Sequence, residues 1–541
     1  MKQILSLFFL FACNFSYAQF SVKGEVRDRQ SGDLLSDVLV TGKNGKDSIY
    51  TDSRGKFMLT NASKEDSLQF SLQGYRTEMF GIAEEGQLKY WLSPINKEMN
   101  AVVVTGTLRP VSKLESPISV EVYHSAFFKK NPAPSLFESL QQVNGVRPQL
   151  NCSVCNTGDI HINGLEGPYT MVTIDGMPIV SSLGSVYGLF GIPTQMIDRV
   201  EIVKGPASGL YGPEAIGGLI NVITKSAEKA PRVSVNAMTS NWLEHSLDIG
   251  FKKSLGKKTD WMMGVDYFRY LNKEDRNRDG FTDVALQHRI SVFQKLGWQR
   301  KYNRQASVAA RYFYEDRWGG EMNWSPRFRG TDSIYGESIY TKRWELMGKY
   351  QLPVQENINL SVSATSHQQN SWYGATPYMG DQRIFFSQLI WDRSLGNSHQ
   401  LLLGAALRYN YYDDNSTATI DTLSKQNQPE KAWIPGLFVQ DEWKINPQHT
   451  LLMGARMDHH PLHGNIFTPR FAWRWKGIRD NIFRLNLGTG FRVVSLFTED
   501  HAALTGARSV EITEALKPEK SYNANANYTQ TFQMGKNSLQ L

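Results

Sequence analysis

The 541-residue sequence predicts a mainly β protein in three parts: an N-terminal β-sandwich, an α/β domain and an antiparallel transmembrane β-barrel. Three observations carry that expectation. After residue 18 no stretch reaches the roughly 18 apolar residues that a membrane helix needs, so a chain in lipid has to cross as a closed sheet, which satisfies its backbone polar groups. From about Arg232 onward apolar and polar residues alternate. Leu360, Val362 and Ala364 fall on one face against Asn359, Ser361, Ser363 and Thr365, and Phe483, Leu485 and Leu487 oppose Arg484, Asn486 and Gly488. Connections between these strands alternate short and long, the pattern of a barrel with tight periplasmic turns and longer outer loops.

The chain opens with Met1-Lys2, an apolar run from Ile4 to Ala12 and a small-residue exit at Ser16-Tyr17-Ala18, which reads as a secretory signal over residues 1–18. Leu10-Phe11-Ala12-Cys13 offers a second reading as a lipoprotein box, with a lipid on Cys13. Aromatic residues make up 12% of the chain, and the formal charge of +7 is spread without a basic block, so nucleic acid is not an expected partner.

Short strands broken by turns follow over residues 19–95. Val22 to Val26, Ser31-Gly32-Asp33, Val38 to Val40 and Thr51 to Phe57 mark a small β-sandwich without a catalytic constellation, read as a periplasmic spacer or docking module. Residues 96–106 end in Ala101-Val102-Val103-Val104-Thr105-Gly106, an apolar extended run that a soluble protein would use as a core strand.

Residues 107–225 hold the most specific pattern in the chain. Ser135 to Leu140 reads as a short helix, and Val172-Thr173-Ile174-Asp175-Gly176-Met177-Pro178 stands between it and the glycine-rich stretch. Ile197, Val200, Ile202 and Val203 precede Gly205-Pro206, Gly209, Gly212, Gly217 and Gly218, and Leu219, Ile220, Val222 and Ile223 follow them: two apolar strands around tight turns and close backbone approaches. Together these segments resemble the plug domain of TonB-dependent outer-membrane receptors, although Asn163 stands before Gly164 where that family often has arginine. The resemblance extends outward in both directions. The sandwich looks like the carboxypeptidase-regulatory-like domain of Bacteroidetes-type receptors, and Ala101 to Gly106 resembles the TonB box, which pairs as an added strand with a periplasmic energy-coupling protein.

The barrel is expected over residues 226–541, with outer loops near 272–286, 316–342, 369–382, 413–432, 459–468 and 491–518. Arg456 to His460, Thr468-Pro469-Arg470, Gly490-Phe491-Arg492 and Leu516 to Ser521 resemble barrel motifs of the family. Val493 and Val494 stand where alanine-proline is common, which weakens a haem-receptor assignment. About 14 strands are complete where the family's barrel has about 22, so roughly 170 further residues are expected for closure, with a complete smaller barrel as the alternative.

Candidate chemistry is sparse. Cys152 and Cys155 are read as a disulfide pinning a plug loop, with a soft-metal or ligand contact including His161 as the alternative and redox chemistry behind both. The resemblance reaches a receptor subgroup that carries a cysteine pair here and is linked to haem or metal uptake. Asp275, Asn277, Asp279, Phe281 and Asp283 are spaced as in a calcium loop with Gly280 at its sixth position, but Leu286 stands where a bidentate glutamate belongs, so a calcium ion in an outer loop competes with a plain polar loop. His459, His460 and His463 are read as scaffold before metal ligands. Trp318, Trp324, Tyr335, Tyr340, Trp372, Tyr373 and Tyr378 are expected to enrich the outer loops, some as membrane-interface anchors and others, with Trp318, Trp324, Trp372 and Tyr373 as the candidates, as contacts for a planar or catechol-like ligand.

The resemblance implies a receptor for active uptake, not an enzyme, set in outer-membrane lipid and requiring no cofactor. Its implied partners are a TonB-type protein with its inner-membrane complex and a metal chelate, haem or cobalamin-like ligand, with iron-siderophore first and copper last. A signalling receptor acting through the N-terminal domain and an adhesion protein anchored by its barrel are the alternatives.

Overall fold

The computed structural model describes residues 20–540 apart from 30–33, 43–46, 53, 63–66, 73–74, 76, 82–87, 93–100, 153–156, 180–182, 184–188, 228–229, 421–423, 425, 478–480, 496–513, 515 and 535–536. The expected signal segment, with Cys13, and the second cysteine of the pair, Cys155, lie outside the described residues. The chain divides into two compact units, Met1–Asn100 and Ala101–Leu541.

The first unit is a β-sandwich. Its strands are β1 (Phe20–Asp28), β2 (Leu39–Gly42), β3 (Ser48–Tyr50), β4 (Lys56–Ala62), β5 (Ser67–Ser71), β6 (Glu78–Gly81) and β7 (Leu88–Leu92). They form sheets ordered β4-β1-β7 and β3-β2-β5-β6. Alternation along β1 sends Val22 and Val26 inward, where Phe57, Phe70 and Tyr90 pack with ring centroids 4.5 to 5.7 Å apart.

The second unit begins with β8 (Val102–Val103), which pairs with β9 (Val111–Ser112). Next come β10 (Glu121–His124), helices α1 (Ser125–Lys129) and α2 (Leu136–Ser139), and the hairpin of β11 (Val146–Cys152) and β12 (Thr157–Ile162). Ser135 caps α2 by accepting from the Phe137 amide at 3.1 Å, and its hydroxyl donates to the Glu138 carboxylate. This Ser-x-x-Glu pattern is why so short a helix starts where it does. Strands β13 (Thr170–Ile174), β14 (Met177–Pro178), β15 (Ile197–Lys204) and β16 (Gly218–Thr224), with helix α3 (Ser208–Tyr211) between the last two, complete a five-stranded sheet ordered β10-β15-β16-β13-β14. Asp175 and Gly176 take φ of 51° and 79°, the left-handed pair that lets β13 turn directly into β14. At Gly218 a side chain would meet the Val203 carbonyl oxygen at 2.5 Å and Ile162 at 2.9 Å, so glycine is what allows β12 and β15 to close on β16.

Around this plug runs a 14-stranded sheet in which every neighbouring pair is antiparallel and consecutive. Its strands are β17 (Val233–Thr239), β18 (His245–Ser254), β19 (Thr259–Tyr270), β20 (Leu286–Trp298), β21 (Ala306–Gly320), β22 (Gly336–Gln351) and β23 (Asn357–Tyr373). The sheet continues through β24 (Thr376–Leu395), β25 (His399–Asp414), β26 (Glu430–Lys444), β27 (His449–His460), β28 (Gly464–Lys476), β29 (Ile482–Arg492) and β30 (Glu519–Thr529). Among the described residues β17 pairs only with β18 and β30 only with β29. Facing is inverted relative to a soluble sheet: on β22, Arg343 and Glu345 are 1% exposed while Trp344 and Leu346 are 58% and 55% exposed. That pattern fits a polar lumen and an apolar outer band.

Two expected outer loops are tight turns instead. Strands β23 and β24 are joined by 374–375, where a loop over 369–382 was expected, and β27 and β28 by 461–463 in place of 459–468. Ladder pairing simply continues through the polar residues at these strand ends, as between Gln369 and Gly380, because backbone bonds form there whatever the side chains. Accordingly Trp318, Tyr340, Trp372, Tyr373 and Tyr378 lie on strands β21 to β24, and only Trp324 and Tyr335 lie in a connection, 321–335.

Candidate functional site

Glu201 and Asn221 face each other across β15 and β16, and Thr173 on β13 stands opposite Asn221, so three polar residues form a row across otherwise apolar strands. All three are buried. Onto this row the extended run Ala101–Gly106 is docked. One Glu201 carboxylate oxygen accepts from the Val104 amide (3.0 Å), the Thr105 amide (2.9 Å) and the Thr105 hydroxyl (2.5 Å). Its other oxygen accepts from the Arg199 guanidinium at 2.7 and 2.8 Å. Asn221 donates to the Thr105 hydroxyl at 2.9 Å, and its carbonyl accepts from the Thr173 hydroxyl and the Gly176 amide, each at 2.9 Å. The Tyr211 phenol donates to the Thr105 carbonyl at 3.1 Å. Burial, reinforced by the Glu201 charge, pushes that phenol well above its usual range and keeps it a donor.

Around the anchor the segment is held by packing and by the wall. Val103 is fully buried, Ala101 accepts from the Lys113 amide at 2.8 Å, and Gly106 accepts from Arg470 on β28 at 3.3 Å. Arg109 pairs with Glu442 on β26. A cavity of about 310 Å³ opens beside Val104, between the Asp175-Gly176 turn and residues Gln351, Asn359 and Asp392 of the wall. Those wall residues adjoin the short turns 352–356 and 396–398, so the docked segment lies at the short-turn end of the sheet.

Asp175 ties the plug sheet to the wall. Its carboxylate accepts from the Thr224 amide (2.9 Å), the Thr224 hydroxyl (2.6 Å) and Lys295 on β20 (3.2 Å). Burial works to raise this carboxyl, but Lys295, Lys349 and the Thr224 bonds outweigh it and hold it below the ordinary aspartate value.

At the opposite end, aromatic rings and cations meet. Trp318 and Trp324 pack with centroids 4.7 Å apart, Lys273 lies 4.8 Å from the Trp318 ring, Arg276 lies 4.0 Å from Trp242, and Arg329 sits 4.3 Å from Tyr340 and 6.0 Å from Trp372. Trp324 and Tyr373 are both buried. His161 lies elsewhere, on β12, 3.0 Å from the Asp159 carboxylate.

The remaining candidates are dispersed. In the 271–285 connection, Asp275 accepts from the amides of Asp279 and Gly280, Asn277 from Asp279, Asp279 from Phe281, and Asp283 from Arg276, so their oxygens serve the loop's own backbone. His460 and His463 stack at 4.6 Å, and His459 contacts Asn465 at 2.8 Å. Among the described residues no group of three or more His, Cys, Asp and Glu is gathered to hold a metal ion. Glu201 and Asn221 are the residues that pattern reading passes over. Their signal is a charge and an amide set singly inside runs that are otherwise apolar, Val200-Glu201-Ile202-Val203 and Leu219-Ile220-Asn221-Val222.

Comparison with known proteins agrees with this geometry. Family models described as TonB-dependent receptor plug domain, TonB dependent receptor-like β-barrel and CarboxypepD_reg-like domain match residues 112–219, 241–541 and 22–104. An iron-regulated outer membrane virulence protein of Vibrio cholerae is 27% identical over 398 residues, covering 68% of this chain and 57% of that protein. The vitamin B12 transporter BtuB of the same species is 22% identical over 408 residues, covering 74% of this chain and 63% of its own. The chain thus spans less than two thirds of the length of these relatives. In fold it is similar to a ferric enterobactin receptor of Pseudomonas aeruginosa, with a TM-score of 0.58 at 16% identity over 73% of this chain and 64% of that one.

Proposed function

The chain belongs to the TonB-dependent receptors, and on that footing we propose that it serves energy-coupled uptake of a scarce, metal-bearing nutrient across the outer membrane. The observation that carries this reading is the seating of Ala101–Gly106 on the plug at the short-turn, periplasmic end of the wall. A segment held there is in place to be taken as an added strand by a periplasmic coupling protein of the TonB type, which would draw on the inner-membrane complex. No bond chemistry is proposed.

For the cargo, iron-siderophore complexes stand first, then haem, cobalamin and copper. The names of the relatives above, which include an iron-regulated protein and a vitamin B12 transporter, support a metal-bearing cargo. The test is removal of Val102–Gly106, assayed with radio-iron-loaded catecholate siderophore, haem and cyanocobalamin. Cells should lose accumulation of whichever probe the parent concentrates and keep surface binding of it. Unchanged accumulation overturns the transport reading.

A further inference from the structure

We infer that Glu201 and Asn221 are positioning residues that keep the coupling segment retracted, and that they do so through the Thr105 hydroxyl. The inference rests on the coupling reading of Ala101–Gly106 and adds the device that holds it. Thr105 is the one side chain of the segment that bonds to the polar row: its hydroxyl donates to the Glu201 carboxylate at 2.5 Å and accepts from Asn221 at 2.9 Å. Both partners are buried, with Glu201 fully enclosed and Asn221 1% exposed. When the segment leaves, Glu201 keeps Arg199 but loses the Val104 and Thr105 amides and the Thr105 hydroxyl, and Asn221 loses the acceptor for its amide group. Buried polar groups stripped of partners are costly, so the row favours the docked segment strongly.

The consequence reaches beyond the segment. Asn221 also holds the Gly176 amide, next to Asp175, which is tied to Lys295 of the wall. Release of Thr105 therefore disturbs the residue that fixes the plug's turn, on the side where the cavity of about 310 Å³ lies.

The test needs no transported ligand. The full-length chain carrying Ala101→Cys, a position 7% exposed, is labelled with a membrane-impermeant maleimide, and the same chain without that substitution gives the background. Thr105→Val removes the hydroxyl and keeps the shape, and should raise the labelling rate about tenfold or more. Thr105→Ser should label within about twofold of the parent, since the hydroxyl is kept. Glu201→Gln, a second route that leaves Thr105 intact, should raise labelling in the same direction. Heat-modifiable gel mobility confirms that each wall has formed. Parental labelling in both Thr105→Val and Glu201→Gln overturns the inference, as does an equal rise in the valine and serine variants, which would make packing the holder. If labelling responds as expected while removal of Val102–Gly106 leaves uptake intact, the positioning role stands and the coupling reading fails.

Discussion

Asp175 occupies a left-handed backbone position and carries a depressed carboxyl pKa, so one residue joins turn geometry to plug seating. Because its folded value lies below the ordinary 3.8, its contribution is fully present above that pH and is lost as the pH falls through the lower folded value. We expect the plug to loosen from the wall as pH drops below about 4, read as a falling thermal transition of the solubilised protein, and Asp175→Asn to flatten that dependence. Insensitivity of the parent to acid would remove the ion pair with Lys295 from the account. The segment Val172 to Pro178 stood out in the sequence as part of the plug resemblance, but the left-handed turn at Asp175-Gly176 emerged only in the fold. Nor was Lys295 legible as the partner of Asp175, since it lies on β20 of the wall and only folding brings the two together.

At the level of elements, the glycine pattern from Gly205 to Gly218 predicted close approach, and Gly218 supplies it against Val203 and Ile162. Gly218→Ala should destabilise the plug by about 1–3 kcal/mol through overpacking, detected as faster protease cleavage within the plug while the wall stays resistant. Strand existence and facing were readable from period-two alternation, because one face meets lipid and the other a polar interior. Strand ends were not: β23 and β24 continue past the expected loop start at 369 to the turn at 374–375. Polar residues in a ladder beyond the apolar band look like loop in sequence, yet their backbone still pairs. The row of Glu201, Asn221 and Thr173 escaped for a related reason, since a lone polar residue in a strand declares its burial only when its cross-strand neighbours are known.

For the molecule as a whole, the outward apolar band of β17–β30 makes a claim about its solvent. Leu437, at the middle of β26 and 66% exposed, should face acyl chains. Leu437→Arg should cost about 2–4 kcal/mol in lipid vesicles, as for a charge near the bilayer midplane, measured by denaturant unfolding of tryptophan fluorescence. Leu437→Phe should be close to neutral, and equal costs for the two would argue against a lipid-facing site. The docked segment gives the second unit a mechanical character as well. A load applied from the N-terminal side of Ala101 meets its attachments in sequence: the Lys113 amide on Ala101, the short ladder of β8 with β9, and then the bonds of Val104 and Thr105 to Glu201 and Asn221. Attachments in series yield at the strength of the firmest link and not at the sum of all of them. Peak force is then governed by the pocket around Thr105, and through Glu201 and Asn221 it falls first on β15 and β16 of the plug sheet.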